Sequence, residues 1–205
     1  MTRSVGNVTA AASTPPTFVR KSGNSSGTYT SPAGCSYIIV HLSAGGGSGA
    51  RNSVNYFALA GGGGGAYYKF KAPSGTYSYS IGDGGSGASS FPGATGGNST
   101  FGTAVCGAGG GGGSQVSGAL NSSTLSYTSL LFVPGGLADT QRTSFKNNYS
   151  STGGSSFYGR NSVMQNPNGL QDCSTFRGGG GNGVQILSSP SGAGGYGYCL
   201  IEEYY

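Results

Sequence analysis

Charge is scarce in this chain: 7% of its 205 residues are Asp, Glu, Lys or Arg. High charge usually keeps disordered chains open, so this composition argues against one. Five acids in all leave thin material for the paired carboxylates of a glycosidase. There is one histidine, His41, and no tryptophan. Cys35, Cys106, Cys173 and Cys199 form no C-x-x-C, which argues against a zinc site. They read as free buried thiols or as one or two disulfides, with three possible full pairings. No apolar run approaches the ~20 residues of a membrane-spanning helix, so no membrane insertion is expected. The first 17 residues, rich in Thr, Ala, Ser and Pro, have no apolar signal-peptide centre. They read as a linker or the end of a preceding region, with one domain over residues 18–205. Helical spacing is missing too, because glycine interrupts every window of about a dozen residues. The expected class is all-β, with no metal and no cofactor.

Glycine is abundant: 44 residues, much of it in blocks at 45–47, 61–65, 109–113 and 178–181. Glycine loses more backbone entropy on folding than any other residue. A folded chain so rich in it must pack backbone against backbone. Such blocks form extended threefold helices of the polyproline II type, rising about 3.1 Å per residue. Without side chains these helices approach closely and hydrogen-bond through their amides. Floppy glycine linkers are the alternative. Each block here abuts an apolar stretch and holds almost no Ser or Thr, which favours packing. No strict G-x-y period persists, so collagen is excluded. The 14 Tyr and 9 Phe supply rings that bury large areas.

Strand signals are short runs between turn residues. Residues 37–42 are apolar on both faces and read as a central strand. Residues 18–21, 28–30, 66–72, 103–106, 130–133, 184–187 and 198–204 are further strands. In 76–81, Tyr77, Tyr79 and Ile81 share one face. One repeat stands out: Gly96-Gly97-Asn98-Ser99-Thr100-Phe101-Gly102 matches Gly153-Gly154-Ser155-Ser156-Phe157-Tyr158-Gly159. It reads as a turn that inserts one aromatic ring beneath a glycine layer.

Chemistry-bearing patterns are weak. Gly82-Asp83-Gly84-Gly85-Ser86-Gly87 spells G-x-G-x-x-G, but no helix pattern follows, as dinucleotide binding requires. His41 lies within the best strand and reads as a satisfied sheet histidine, although Asp83, Asp139 and Asp172 would complete a triad. Glu202 and Glu203 are adjacent on a strand, so they point to opposite faces and cannot flank one bond. They read as solubilising terminal charge. The net charge of +5 comes from Lys and Arg scattered singly, apart from Arg20-Lys21 and Lys69-Phe70-Lys71. That is no phosphate-binding stripe, and no nucleic-acid partner is expected.

Three stretches combine Tyr, Asn, Ser and Gly, the composition of adaptable binding loops. Residues 48–60 hold Arg51, Asn55, Tyr56 and Phe57. Residues 114–129 hold Tyr127. Residues 137–172 hold Lys146, Asn147, Tyr149 and Arg160. Aromatic faces stack on sugar rings and amides bond hydroxyls, so these residues are the candidate ligand contacts.

The order of these features resembles the glycine-rich C-terminal tip domains of bacteriophage tail-fibre proteins, and their relatives on phage-derived bacterial surface fibres. The likeness spans about residues 28–205. It runs from the Tyr37-Ile38-Ile39-Val40 strand through the glycine blocks, Ile81-Gly82-Asp83-Gly84-Gly85 and Gly96–Gly102 to Cys199-Leu200-Ile201-Glu202-Glu203-Tyr204. The resemblance implies a small β-sandwich-like domain with polyglycine-II-type segments and long loops. It further implies an extracellular fibre tip, a homotrimer, and a cell-surface glycan or outer-membrane protein as receptor. The expected function is therefore receptor binding without catalysis. A structural fibre or coat module without a ligand, and a fibre-borne polysaccharide depolymerase, are the alternatives.

Overall fold

The computed structural model describes residues 15–22, 25–50, 61–87, 92–112, 118, 120–121, 127–138, 143–145, 148–151, 153–158, 177–181, 183–184 and 191–205. The described residues contain strands and no helix. The strands are β1 (Thr17–Ser22), β2 (Ser26–Thr30), β3 (Tyr37–Ser43), β4 (Tyr67–Pro73), β5 (Thr76–Ser80), β6 (Ser99–Phe101), β7 (Ala104–Cys106), β8 (Leu120–Asn121), β9 (Thr128–Val133), β10 (Thr143–Phe145), β11 (Asn148–Ser151), β12 (Gly183–Val184) and β13 (Tyr198–Tyr204).

Two five-stranded antiparallel sheets face each other, ordered β1-β13-β3-β4-β9 and β2-β5-β6-β7-β8. The run Tyr37-Ile38-Ile39-Val40 is β-branched and aromatic, which suits a pleated surface, and β3 is the middle strand of the first sheet. Period-two alternation sends Ile38, Val40 and Leu42 inward, with Tyr68, Phe70 and Ala72 of β4 and Cys199 and Ile201 of β13. The second sheet answers with Tyr29, Phe101, Ala104 and Cys106. Tyr77 and Tyr79 pack against this core from β5, as their shared face predicts, and Ile81 follows them in. Each fully buried large apolar side chain contributes roughly 1.5–3 kcal/mol.

One end of the sandwich leads into glycine. The segment 44–49 leaves β3, and its amides reveal the geometry. Gly45 donates to Gly97 O (3.0 Å), Gly46 to Gly195 O (2.9 Å) and Gly47 to Gly63 O (2.9 Å). Then Ser48 donates to Ala94 O (2.9 Å) and Gly49 to Gly192 O (3.0 Å). The partner segment recurs every third residue, from 97 to 94 and from 195 to 192, with falling numbers. That is a threefold helix with antiparallel neighbours. The segment 61–66 repeats the pattern: Gly62 and Gly65 donate to Gly181 and Gly178, and Gly63 and Ala66 to Gly110 and Gly107. Helix 44–49 thus bonds to six segments, namely 61–66, 82–85, 93–97, 107–112, 178–181 and 192–195. The expected glycine packing is a hexagonal lattice of polyglycine II helices.

Absence of a side chain, not unusual conformation, selects glycine here. A Cβ on Gly47 would lie 2.0 Å from Gly110 O, and one on Gly62 2.1 Å from Gly47 O. Among the described glycines, φ is positive only at Gly34, Gly102 and Gly178. Gly102, at φ 57°, turns β6 into β7.

The fold departs from the sequence reading at several short strands. The first copy of the repeat is not a plain turn: it contains β6, whose Phe101 is fully buried. Ser99 in that copy accepts from Gly82 N–H (3.0 Å) and donates to Ser43 O (2.8 Å). The equivalent Ser156 donates to Arg177 O. The repeated serine therefore ties glycine segments where they meet the sheets. Strands β8, β10 and β11 lie in stretches read as loops; they are two to four residues long, too short for alternation to register. Residues 185–187 of the run expected as a strand lie outside the described residues.

Candidate functional site

Following each glycine segment away from the sheets leads to one pole. Gly112 N–H donates to Ser48 O (2.8 Å), Gly93 N–H to Gly112 O (3.0 Å) and Ser191 Oγ to Gly49 O (2.5 Å). Gly62 N–H meets Gly181 O (2.8 Å) at the same level. The roots of segments 51–60, 88–91, 113–117 and 182–190 therefore cluster on this face of the lattice. Ser151, just before Gly153, pairs with Gly183, just after Gly181, so the small sheet β10-β11-β12 is rooted there too. The chain enters at the opposite pole: Thr17 pairs with Glu203, while Ser22 pairs with Tyr198 beside the glycine.

The described residues that flank several of the predicted contact residues therefore meet at this pole. Arg51, Asn55, Tyr56 and Phe57 fall in a segment rooted on Ala50 and Gly61, and lie outside the described residues. Lys146 and Asn147 also lie outside them, between β10 and β11, where the backbone of Tyr149 pairs with Ser144. Arg160 lies outside them as well, in a segment rooted on Tyr158 and Arg177 at the sheet end. Tyr127 is described and stands apart from the crown. It is half-buried, stacked on Phe70 at 4.9 Å, and accepts from Thr103 N–H (3.3 Å) near the β6–β7 turn. Its ring closes the far end of the sandwich.

A second constellation lies on the outer face of the first sheet. His41 is at its centre. Its Nε2 meets Glu202 Oε1 at 2.8 Å, and its Nδ1 meets Tyr67 Oη at 2.8 Å and Tyr158 Oη at 3.2 Å. Nε2–H donation to the carboxylate leaves Nδ1 to accept from a phenol. Burial holds the imidazole below its ordinary pKa; the Glu202 hydrogen bond opposes this and the charge of Lys69 assists it. His41 is the satisfied sheet histidine that its position in β3 predicts.

Glu202 and Glu203 do point to opposite faces, but they are not merely solubilising charge. Glu202 also accepts from Tyr204 O–H (2.9 Å). Glu203 is buried and accepts from Tyr29 O–H (2.8 Å), whose phenol pKa is raised, chiefly by burial. Their place on a core-facing, half-covered strand gives each carboxylate a partner.

Aromatic rings wall the outer face. Phe157 stacks on Tyr67 at 4.0 Å, Tyr158 meets Tyr198 edge-on at 5.6 Å, and Arg177 sits 3.7 Å above the Tyr198 ring. Along the face, Tyr37 stacks on Tyr204 at 4.7 Å with Lys71 Nζ 3.7 Å above it. Loop composition does not single out these residues as ligand contacts. The second copy of the repeat, which delivers Phe157 and Tyr158, and the period-two series Tyr67, Lys69, Lys71 were the available signals.

Cys35, Cys106 and Cys199 are buried thiols, and Cys173 lies outside the described residues. The Cys106 thiol donates to Ala66 O (3.0 Å), and burial pushes its pKa up to about 12. A thiol so held is a structural donor and a poor nucleophile. Gly82–Gly87 is a lattice segment: Gly82 O accepts from Gly197 N–H and Gly85 O from Gly194 N–H, both at 2.8 Å.

No curated protein matches the chain significantly. The family model described as a glycine-rich domain matches residues 21–204, and the chain belongs to that family.

Proposed function

We propose that this glycine-rich domain is a receptor-binding module of a fibre tip, on a phage tail fibre or a phage-derived bacterial surface fibre. Its crown segments recognise a cell-surface glycan, with an outer-membrane protein as the other receptor class. The observation that carries this reading is polarity: the chain enters at one pole, and the glycine helices root the Tyr- and Asn-rich segments at the other. A backbone lattice has no side chains with which to select a ligand, so it serves as a rigid mount. Rigid mounting lowers the ordering cost of binding. The homotrimer and the extracellular setting come from the resemblance to tail-fibre tips. A structural module would have no use for Arg51, Asn55, Tyr56, Phe57, Lys146, Asn147, Tyr149 or Arg160, and a depolymerase would need acids along one groove.

A glycan array and a whole-cell binding assay on a bacterial panel test the proposal. Binding to one surface class is expected, with Tyr56→Ala or Tyr149→Ala weakening it while the thermal midpoint holds. Absence of binding to every bacterial surface overturns it. Release of reducing ends from capsule or lipopolysaccharide replaces it with the depolymerase.

A further inference from the structure

The outer face of the first sheet is not covered by the second, and it carries a charge pattern of its own. On β4, Tyr67, Lys69 and Lys71 point outward in series, two residues apart, so neighbours are spaced ~7 Å. Lys69 lies opposite His41, and Lys71 opposite Ile39. Phe157, stacked on Tyr67, is 47% exposed, and Tyr158 beside it is 37% exposed. Arg177, over Tyr198, is exposed at the same end. Tyr37 and Tyr204 close the other end, with Lys71 above the Tyr37 ring. On this face the side chains of Lys69, Lys71 and Arg177 stand against one carboxylate, that of Glu202, and Arg20 shares the face by register, opposite Leu200.

We propose that this face is a second binding surface, separate from the crown, for an acidic polysaccharide. The exposed Phe157 and Tyr158 rings take the apolar face of a sugar, and Lys69, Lys71 and Arg177 meet the carboxylates of neighbouring residues along the polymer. Phe157 is fixed by stacking on Tyr67 and Tyr158 by edge contacts with Tyr67 and Tyr198, so little side-chain entropy is lost on binding. Glu202 discriminates between anionic polymers. Its carboxylate has about four acceptor sites, of which His41 and Tyr204 use part. Sugar hydroxyls donate to the remainder, whereas the charge repels a phosphate chain with no hydroxyls to offer. Phe157 and Tyr158 meet edge-on at 87°, which suits one sugar ring in a wedge and not a row of stacked bases.

Calorimetric titration of the whole chain with a galacturonic-acid hexamer tests this. Maltohexaose serves as the neutral comparator and a hexamer of thymidylate as the nucleic-acid comparator. The acidic hexamer is expected to bind, and to weaken several-fold when salt rises from ~0.05 to ~0.3 M, where exposed charges are screened. Lys69→Gln with Lys71→Gln is expected to weaken it about tenfold, as is Phe157→Ala, which leaves every charge in place. Tyr56→Ala in the crown leaves it unchanged, so this surface and the crown receptor fail or stand separately. Equal binding of maltohexaose, tighter binding of the thymidylate hexamer, no binding of the acidic hexamer, or indifference to both sets of substitutions in chains with an unchanged thermal midpoint overturns the proposal.

Discussion

The sandwich and the glycine lattice are two solids built by opposite means. In the sandwich, large side chains such as Tyr68, Phe70 and Phe101 exclude water and backbones stay apart. In the lattice, backbones touch and no side chain intervenes, so cohesion comes from amides: Gly47, Gly63 and Gly64 each donate to a different segment. A net hydrogen bond contributes about 0.5–1.5 kcal/mol. A glycine costs about 0.5–1 kcal/mol more than alanine in ordered backbone. The two nearly cancel, so the lattice gains little by itself. It stands because the sandwich fixes its ends, through Ser99, the Ala44–Ala66 amide pair and the Cys106 thiol. The order of the lattice beneath the crown therefore depends on an apolar core some distance away.

The largest expected effect breaks that core. Phe101→Ala empties a fully buried site between the sheets and is expected to cost about 3–5 kcal/mol. Chemical denaturation measures it. If the lattice depends on the sandwich, crown binding and global stability will fall together. Retention of crown binding in a chain that has lost its cooperative transition would show an autonomous lattice.

Gly47→Ala attacks the lattice directly. The added methyl would sit 2.0 Å from Gly110 O, which is backbone held by its own bond from Gly63 N–H. The segments must separate, as in overpacked cores, at about 1–3 kcal/mol or somewhat more. A loss under ~0.5 kcal/mol in the same denaturation series would show that the segments slide apart freely.

These two sites differ in how far the sequence announced them. The strands of the main sheet were legible because Tyr37-Ile38-Ile39-Val40 and the apolar Glu-Tyr terminus are runs long enough for seven-residue strands, with glycine or turn residues before them. Glycine packing was legible from the blocks. Its register was not, because glycine carries no pattern that says the Gly47 amide donates to Gly63 and not to Gly110. Phe101 hid inside a three-residue strand within a motif that reads as a turn. The crown residues share a loop composition, and their roots share a pole for a reason sequence does not show: successive glycine segments run away from the sheets and back, so their connections return to the same end. Tyr127 shared that composition, yet its ring packs on Phe70 and Tyr77. The outer-face cluster was missed because its members come from β3, β4, β13 and the second repeat copy, brought together by strand order alone.

A smaller effect probes the boundary between the two regions. His41 is linked to Glu202, Tyr67 and Tyr158, and its folded-state pKa is lowered mainly by burial. The unfolded chain, with a pKa near 6.5, then binds the proton more readily than the folded one. Stability is full above about pH 6.5 and falls as pH drops from there toward the folded-state value. Thermal midpoints across this window are expected to decline, and His41→Gln is expected to flatten the decline between pH ~7 and ~5.5. An unchanged slope in the variant would assign the dependence to other groups.

The smallest expected effect is the control that gives the lattice substitution its meaning. Gly75 lies in the β4–β5 turn of the sandwich, its N–H donating to Ser31 Oγ (3.1 Å). A Cβ there would meet Tyr77 Oη at 3.4 Å and Cε2 at 3.5 Å, which is near ordinary contact with a side chain. Its φ lies outside the left-handed region, so alanine fits the existing backbone. Gly75→Ala then acts mostly on the unfolded chain, reducing its freedom, and is expected to stabilise by about 0.4–1 kcal/mol. The same chemical change thus has opposite signs at Gly75 and Gly47. If both destabilise alike, glycine is needed in this protein for its conformations generally. If the signs differ, the lattice needs glycine for the space that a single methyl would fill, and the close approach of backbones is what holds the crown.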